Sequence, residues 1–155
     1  MQEGIDFAVV EVSELVWPAS LNLPSKRFRL LIAADTANCT VDVISEFAAS
    51  ALIKGMVYFC AWGSGCSRFH DIVDELIAGD ELGAHRFAPP GSEDVVMTTW
   101  HDDESLEEAL DFFTTCAFPT DGYAEHSGYR VVICLANSEW ASTARKFLRE
   151  ADFFV

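Results

Sequence analysis

From Arg27 onward, short apolar runs alternate with amphipathic runs of helical length, and this alternation constrains the fold more than any other feature of the chain. The runs "FRLLIAAD" (Phe28 to Asp35), "MVYFCAW", "DVVMTTW" and "YRVVICLA" read as strands. Most are apolar at successive positions, so each strand has to be covered on both faces, which requires a sheet with helices above and below it. Four such βα units predict an α/β fold, a three-layer sandwich with a mostly parallel sheet, flavodoxin-like or Rossmann-like. A chain of 155 residues supports one core of this kind. Residues 27–155 are read as a single α/β domain and residues 1–26 as an N-terminal arm or edge strand of the same domain. Within that segment "IDFAVVEV" looks like a strand, while "WPASLNLP" breaks regularity, which suggests an antiparallel edge strand or a covering arm.

Local signals place the helices. Thr40 is a suitable N-cap and Gly55 a stop for "VDVISEFAASALIKG", whose buried face is expected to be Val41, Ile44, Phe47, Ala48, Ala51 and Leu52. In "SRFHDIVDELIAG" the expected face is Phe69, Ile72, Val73 and Leu76, with His70, Asp71, Asp74 and Glu75 turned outward and Gly79 as terminator. Ser105 and Glu108 form a capping box ahead of Leu106, Ala109, Leu110 and Phe113. The last helix, "SEWASTARKFLREA", carries Arg145, Lys146 and Arg149 toward its negative end, and the aromatics of the closing "DFFV" are expected to pack. The connection "DELGAHRFAPPGSE", with its Pro89-Pro90-Gly91 breaker, reads as a flap or insertion.

Charge and cysteine usage exclude several function classes. A net charge of −15, from 25 acids against 10 lysines and arginines, repels phosphate backbones and anionic lipid heads, which argues against nucleic-acid or membrane partners and for a basic one. The apolar runs are far shorter than the roughly 18 residues of a membrane-spanning helix. The start "MQEGIDF" is acidic, unlike a signal peptide, so a cytoplasmic protein is expected. Cys39, Cys60, Cys66, Cys116 and Cys134 are odd in number and fit reduced thiols, with Cys116 and Cys134 acting as small core hydrophobes. The Cys60 to Cys66 spacing matches neither a redox pair nor half a zinc site, and no metal site is assigned.

Parallel sheets bind ligands beyond the carboxyl ends of their strands, so the loops there are the candidate site. They offer Asp35 after the first strand, Trp62, Gly63, Ser64, Gly65, Cys66 and Ser67 after the second, Trp100, His101, Asp102 and Asp103 after the third, and Asn137 and Ser138 after the fourth. The glycines of "WGSGCSR" and the helix opening near Ser67 could turn backbone amides toward an anion, with Arg68 as counter-charge. The spacing matches neither a dinucleotide fingerprint nor a P-loop, so a simple tight turn is the competing reading. Cys66 as a thiolate activated by the helix start, with His101 as base, is a further expectation to test. "WHDDE" could supply an acid and a base, or merely complement the positive end of the following helix. Trp62 and Trp100, each closing a strand, could stack a ligand or seal the edge of the core. His70 and Asp74, four apart, are expected to form an intrahelical pair, while His85 and His126 lie in loops.

The blocks "AWGSGCSRFHDIVDE" and "VMTTWHDDESLEEALDFF" resemble those of an uncharacterised family of small bacterial proteins, in which a Trp-Gly turn with Cys-Ser precedes a Thr-Thr-Trp-His block with acids. The resemblance implies a bacterial source and a shared scaffold in which Trp62 to Ser67 and Trp100 to Glu104 belong together. It implies no mechanism, cofactor or partner.

Two functions follow as expectations. One is a small acidic binding or regulatory protein, an inhibitor or immunity-type partner of a basic protein. The other is an enzyme or sensor taking a small phosphorylated or nucleotide-like ligand through Gly63 to Ser67, with His101 and Asp102 opposite.

Overall fold

A computed structural model describes residues 6–82 and 89–153 of the chain. In order, the elements are β1 (Phe7–Val12), β2 (Phe28–Ala33), α1 (Val41–Lys54), β3 (Met56–Trp62), α2 (Cys66–Leu82), β4 (Met97–His101), α3 (Leu106–Thr115), a 3₁₀ turn (Asp121–Tyr123), β5 (Arg130–Leu135) and α4 (Ser138–Phe153). The strands form one parallel sheet in the order β1-β5-β2-β3-β4. The expected α/β sandwich with a parallel sheet is the observed architecture.

Strand parity divides the core into two layers. Leu30, Ile32, Phe59, Ala61, Val131 and Ile133 face α1 and α2, whereas Leu31, Ala33, Cys60, Val132 and Cys134 face α3 and α4. Because both sets are buried, the central strands are apolar on both faces apart from Arg29 and Arg130 near the starts of β2 and β5, as a doubly covered sheet requires. Phe69 of α2 meets Phe47 of α1 edge to face at 6.1 Å and Phe59 of β3 at 5.1 Å.

The chain winds outward from β2 through β3 to the edge strand β4, then crosses back under α3 to insert β5 between β1 and β2. Helices leaving neighbouring strands therefore depart to opposite faces at two places, β3/β4 and β5/β2, and a crevice opens at each.

Local signals held in detail at three helix ends. The Thr40 side chain accepts from Val43 N–H, Gly55 closes α1 in the left-handed region (φ 112°), and both bonds of the Ser105–Glu108 capping box are made. Leu106, Ala109, Leu110 and Phe113 are buried as expected.

Several expectations are corrected. The N-terminal strand is an edge strand, but it runs parallel to β5, and the chain after it also covers the core through Leu15 and Trp17, the latter packed on Phe28 and Phe47. Val41 is exposed because it starts the first turn of α1, before that helix reaches the sheet. α2 runs through Gly79 to Leu82, since an exposed glycine with ordinary helical dihedrals weakens a helix without ending it. His70 is buried instead of facing outward, and Cys116 is exposed at the end of α3. α4 extends to Phe153, so its last turn carries no base, and Arg145, Lys146 and Arg149 lie within the helix. Residues 83–88, the centre of the expected flap, and Phe154 and Val155 of "DFFV" lie outside the described residues, as does His85.

Candidate functional site

The β3–α2 loop is built by backbone contact. Gly63 and Gly65 both have positive φ (113° and 84°), and a side chain on Gly63 would occupy the space of the Ala34 carbonyl. That close approach stitches the loop to the one after β2. Ala34 N–H donates to Trp62 O at 3.0 Å, Thr36 N–H donates to Ser64 O at 2.8 Å, and Arg68 Nη1 donates to Thr36 O at 3.3 Å. Cys66 N–H donates to Gly63 O and Phe69 N–H to Gly65 O, which starts α2. Arg68 thus braces the loop pair through one of its five N–H groups. Buried Thr36, whose hydroxyl donates to Ser64 O at 3.3 Å, is a structural member of this loop pair that sequence reading missed.

Across the β3/β4 crevice, the loops Trp62–Ser67 and Trp100–Glu104 meet directly. The Cys66 thiol donates to Asp102 Oδ1 at 3.7 Å, and Trp62 Nε1–H donates to Glu104 O at 2.9 Å. Two expectations about this crevice are corrected. Burial pushes the Cys66 thiol up; the His101 amide opposes this, the adjacent Asp102 carboxylate reinforces it, and the Ser67 amide opposes it least. The helix start therefore does not generate a thiolate here.

His101 also departs from its expected role. It points to the α3 side of the sheet, where its ring packs on Phe112 at 4.8 Å. Its Nδ1 lies 3.1 Å from the Glu104 carboxylate and its Nε2 lies 3.0 Å from Thr99 Oγ1. A carboxylate only accepts, so in the neutral ring Nδ1 carries the proton and Nε2 accepts from Thr99. The imidazole is fixed between those partners and does not face Cys66 or the Asp102 carboxylate. Glu104 was read within the "WHDDE" loop but not as the partner of His101, and Thr99 was missed, although Thr99 and His101 share parity on β4, a period-two signal visible in "TTWH".

The two tryptophans diverge for the same reason of parity. Trp62 lies in the α3/α4 layer, edge to face with Trp140 at 5.1 Å and 86°. Trp100 lies on the α2 side, its ring 4.5 Å from that of His70, and remains 48% exposed. His70 is held by Asp71 at 3.0 Å and by Asp74 at 3.3 Å, so the expected i,i+4 pair is present and extended by a third group. Asp35, Asp102 and Asp103 are exposed, Asp103 in the left-handed region (φ 57°), and Ser64 and Ser138 are also exposed. Asn137 Oδ1 accepts from Trp140 N–H and caps α4.

The structure therefore brings Gly63 to Ser67 and Asp102 to one wall-to-wall contact, with Asp35 beside it and Trp100 on the rim. Among the described residues, no group of three or more His, Cys, Asp or Glu side chains is arranged to hold a metal ion. No described helix is long and apolar enough to cross a membrane. A family model for a domain of unknown function, DUF7684, matches residues 10–151, nearly the whole sheet and all four helices. The chain belongs to the DUF7684 family. No curated protein and no solved structure matches this DUF7684 chain.

Proposed function

We propose that this DUF7684 protein is a bacterial binding protein that presents the acidic carboxyl end of its sheet to a basic partner, in the manner of an inhibitor or immunity protein. The observation that supports this reading is the crowding of exposed acids at that end. Asp35, Asp102 and Asp103 stand in the loops, and Asp42, Glu107 and Glu139 stand in the first turns of α1, α3 and α4 beside them. Half-exposed Trp100 adds an aromatic anchor next to these charges, the combination that favours fast, salt-sensitive capture of a cationic surface. The two sequence blocks support a bacterial source. Five unpaired thiols support a reducing, cytoplasmic setting.

The second reading, a sensor or enzyme for a small phosphorylated ligand, is favoured by one observation. α2 has no acid in its first turn, unlike α1, α3 and α4. Against it stands the Asp102 carboxylate, already placed beside the start of that helix.

The test is co-purification from the native host, followed by affinity measurement at several salt concentrations. A basic partner is expected whose binding falls with salt and falls at least tenfold, about 1.4 kcal/mol, when Asp35, Asp102 and Asp103 are replaced together by lysine. Recovery of no partner at low salt, or a partner indifferent to the triple replacement, overturns the partner reading. Saturable binding of inorganic phosphate or ATP at Gly63 to Ser67 supports the second.

A further inference from the structure

The face of β4 turned toward α3 carries a second arrangement of polar groups. Met97, Thr99 and His101 share that face, and the parallel register sets Met97 beside Tyr58 and Thr99 beside Cys60 of β3. The Phe112 ring of α3 packs on His101 at 4.8 Å and stands 6.5 Å from the ring of Tyr58. Thr99 and Phe112 are partly exposed and Met97 is 36% exposed, so Thr99 borders an apolar patch that solvent reaches.

Three side chains here stand in the order hydroxyl, imidazole, carboxylate. Thr99 Oγ1 lies 3.0 Å from His101 Nε2, and His101 Nδ1 lies 3.1 Å from the Glu104 carboxylate. Since the carboxylate only accepts, Nδ1 holds the ring proton and Nε2 is left as the acceptor, the tautomer that a base needs to take a proton from Thr99. Burial and bonding hold the pair in place. His101 is 5% exposed, and Trp62 Nε1–H donates to Glu104 O at 2.9 Å, which fixes the backbone that carries the acid. On β3 beside Thr99, burial pushes the Cys60 thiol up to about 12, so it stays protonated and its S–H faces the Thr99 oxygen. The Thr99 proton is left for His101.

The strand edge supplies a donor for developing charge. Trp62 O accepts from Ala34 N–H, so Trp62 and Cys60 turn their backbone groups toward β2, and Phe59 and Ala61 turn theirs toward β4. In the parallel register those two bond Met97, Thr99 and His101, which turns the Trp100 N–H to the outer side of the sheet. β4 is the last strand in the order, and among the described residues no strand pairs with that side. The N–H of the residue after the nucleophile is a place where acyl-transfer sites put an oxyanion donor.

We propose that Thr99, His101 and Glu104 form an acyl-transfer site that hydrolyses carboxylic esters of an uncharged, apolar acyl group. Thr99 Oγ1 bonds to the ester carbonyl carbon as its proton passes to His101 Nε2. The bond to the alcohol oxygen breaks, and the alcohol leaves with that proton. Water then adds to the acyl carbon with His101 taking one of its protons, the acyl–Thr99 bond breaks, and that proton returns to Thr99 as the acid leaves. Glu104 is a positioning residue that keeps Nδ1 protonated, and the Trp100 N–H serves the oxyanion. Met97, Tyr58 and Phe112 suit an apolar acyl chain, while a net charge of −15 repels an anionic one. The site lies on the opposite face of β4 from Trp100 and Asp102 and does not depend on the partner reading.

The full-length chain is incubated with p-nitrophenyl butyrate, with release of p-nitrophenolate as the readout, and separately with an alkyl fluorophosphonate followed by peptide mass spectrometry. Saturable turnover at least tenfold above buffer and a phosphonyl adduct on Thr99 are expected. Thr99→Val keeps the side-chain shape without the hydroxyl and loses both, whereas Thr99→Ser still takes the adduct. Glu104→Gln can donate to Nδ1 and so shifts the ring proton to Nε2. It lowers kcat at least tenfold with KM and Tm little changed, a combination that a purely structural role would not give. Cys116→Ala removes the exposed thiol and leaves turnover unchanged. No turnover above buffer, an adduct located only on other residues, or turnover that persists in Thr99→Val or disappears in Cys116→Ala overturns the proposal.

Discussion

The two ends of the sheet differ in charge and in how they are held together. At the carboxyl end, acids occupy the loops and the first turns of three helices, and the loops are joined by backbone bonds and caps. At the amino end, Arg27 and Arg29 lace the long connection between α3 and β5. Arg27 Nη1 donates to Gly122 O at 3.0 Å and to Glu125 O at 3.2 Å, while Arg29 holds Ala117 and Gly128. Lys54 in the last turn of α1 points the same way. In a parallel α/β fold every helix N-terminus lies at the carboxyl end, so the helix dipoles favour the acids found in the first turns of α1, α3 and α4, while the arginines of the amino end are placed by their bonds to the α3–β5 connection.

A change that violates the backbone contact at the carboxyl end should do the most damage. Gly63→Val forces a β-branched residue to φ 113° and drives its Cβ onto the Ala34 carbonyl. Urea unfolding should show a loss of at least about 3 kcal/mol. A loss below about 1 kcal/mol would mean the two loops separate freely.

At the other end, Arg29→Ala unpairs two carbonyls and leaves a void, offset by removal of a desolvated charge, for an expected loss of roughly 2 to 3 kcal/mol. If this variant instead matches or exceeds wild-type stability, the buried charge outweighs its bonds and the lacing account fails.

The layer between the ends has its own signature in pH. Burial pushes the Cys60 and Cys134 thiols from 9.0 to about 12. The protonated thiol is favoured in the fold, so this contribution is complete below the unfolded value of 9.0 and is lost as pH rises toward about 12. Stability should fall by up to about 1.4 kcal/mol per pH unit per thiol in that window. The Cys60→Ala and Cys134→Ala variants should each flatten this alkaline decline, and a decline that both leave unchanged would assign it elsewhere.

The smallest effect belongs to the cap beside the crevice. Ser105→Ala removes the acceptor for Glu108 N–H and should cost about 1 kcal/mol by thermal or urea unfolding. No change would show that Glu108 alone keeps that helix start ordered.

Local signals in the chain were decisive where the physics is local. Thr40, Gly55 and the Ser105–Glu108 pair act within one helical turn, and the apolar runs of β2, β3 and β5 announce burial on both faces. The loops "WGSGCS" and "WHDDE", expected to belong together, meet through the Cys66–Asp102 and Trp62–Glu104 bonds. The direction of individual side chains was harder. His70 reads as a solvent-facing residue on α2 and becomes buried because Trp100, from an element far along the chain, closes over it. His101 reads as a partner of Cys66 and turns away because β4 parity sends it to Phe112.

The sequence by itself determined the class of fold, the caps, the two-sided strands and the acidic balance, since each depends on periodicity, adjacent residues or composition. The tertiary structure alone decided which strands are neighbours and which residues meet across them. The order β1-β5-β2-β3-β4 puts Arg29 beside Arg130 and Asp102 beside Cys66. No local propensity encodes those pairs. They arise when β5, after the long crossover from the edge, inserts beside β2 and buries its apolar faces there.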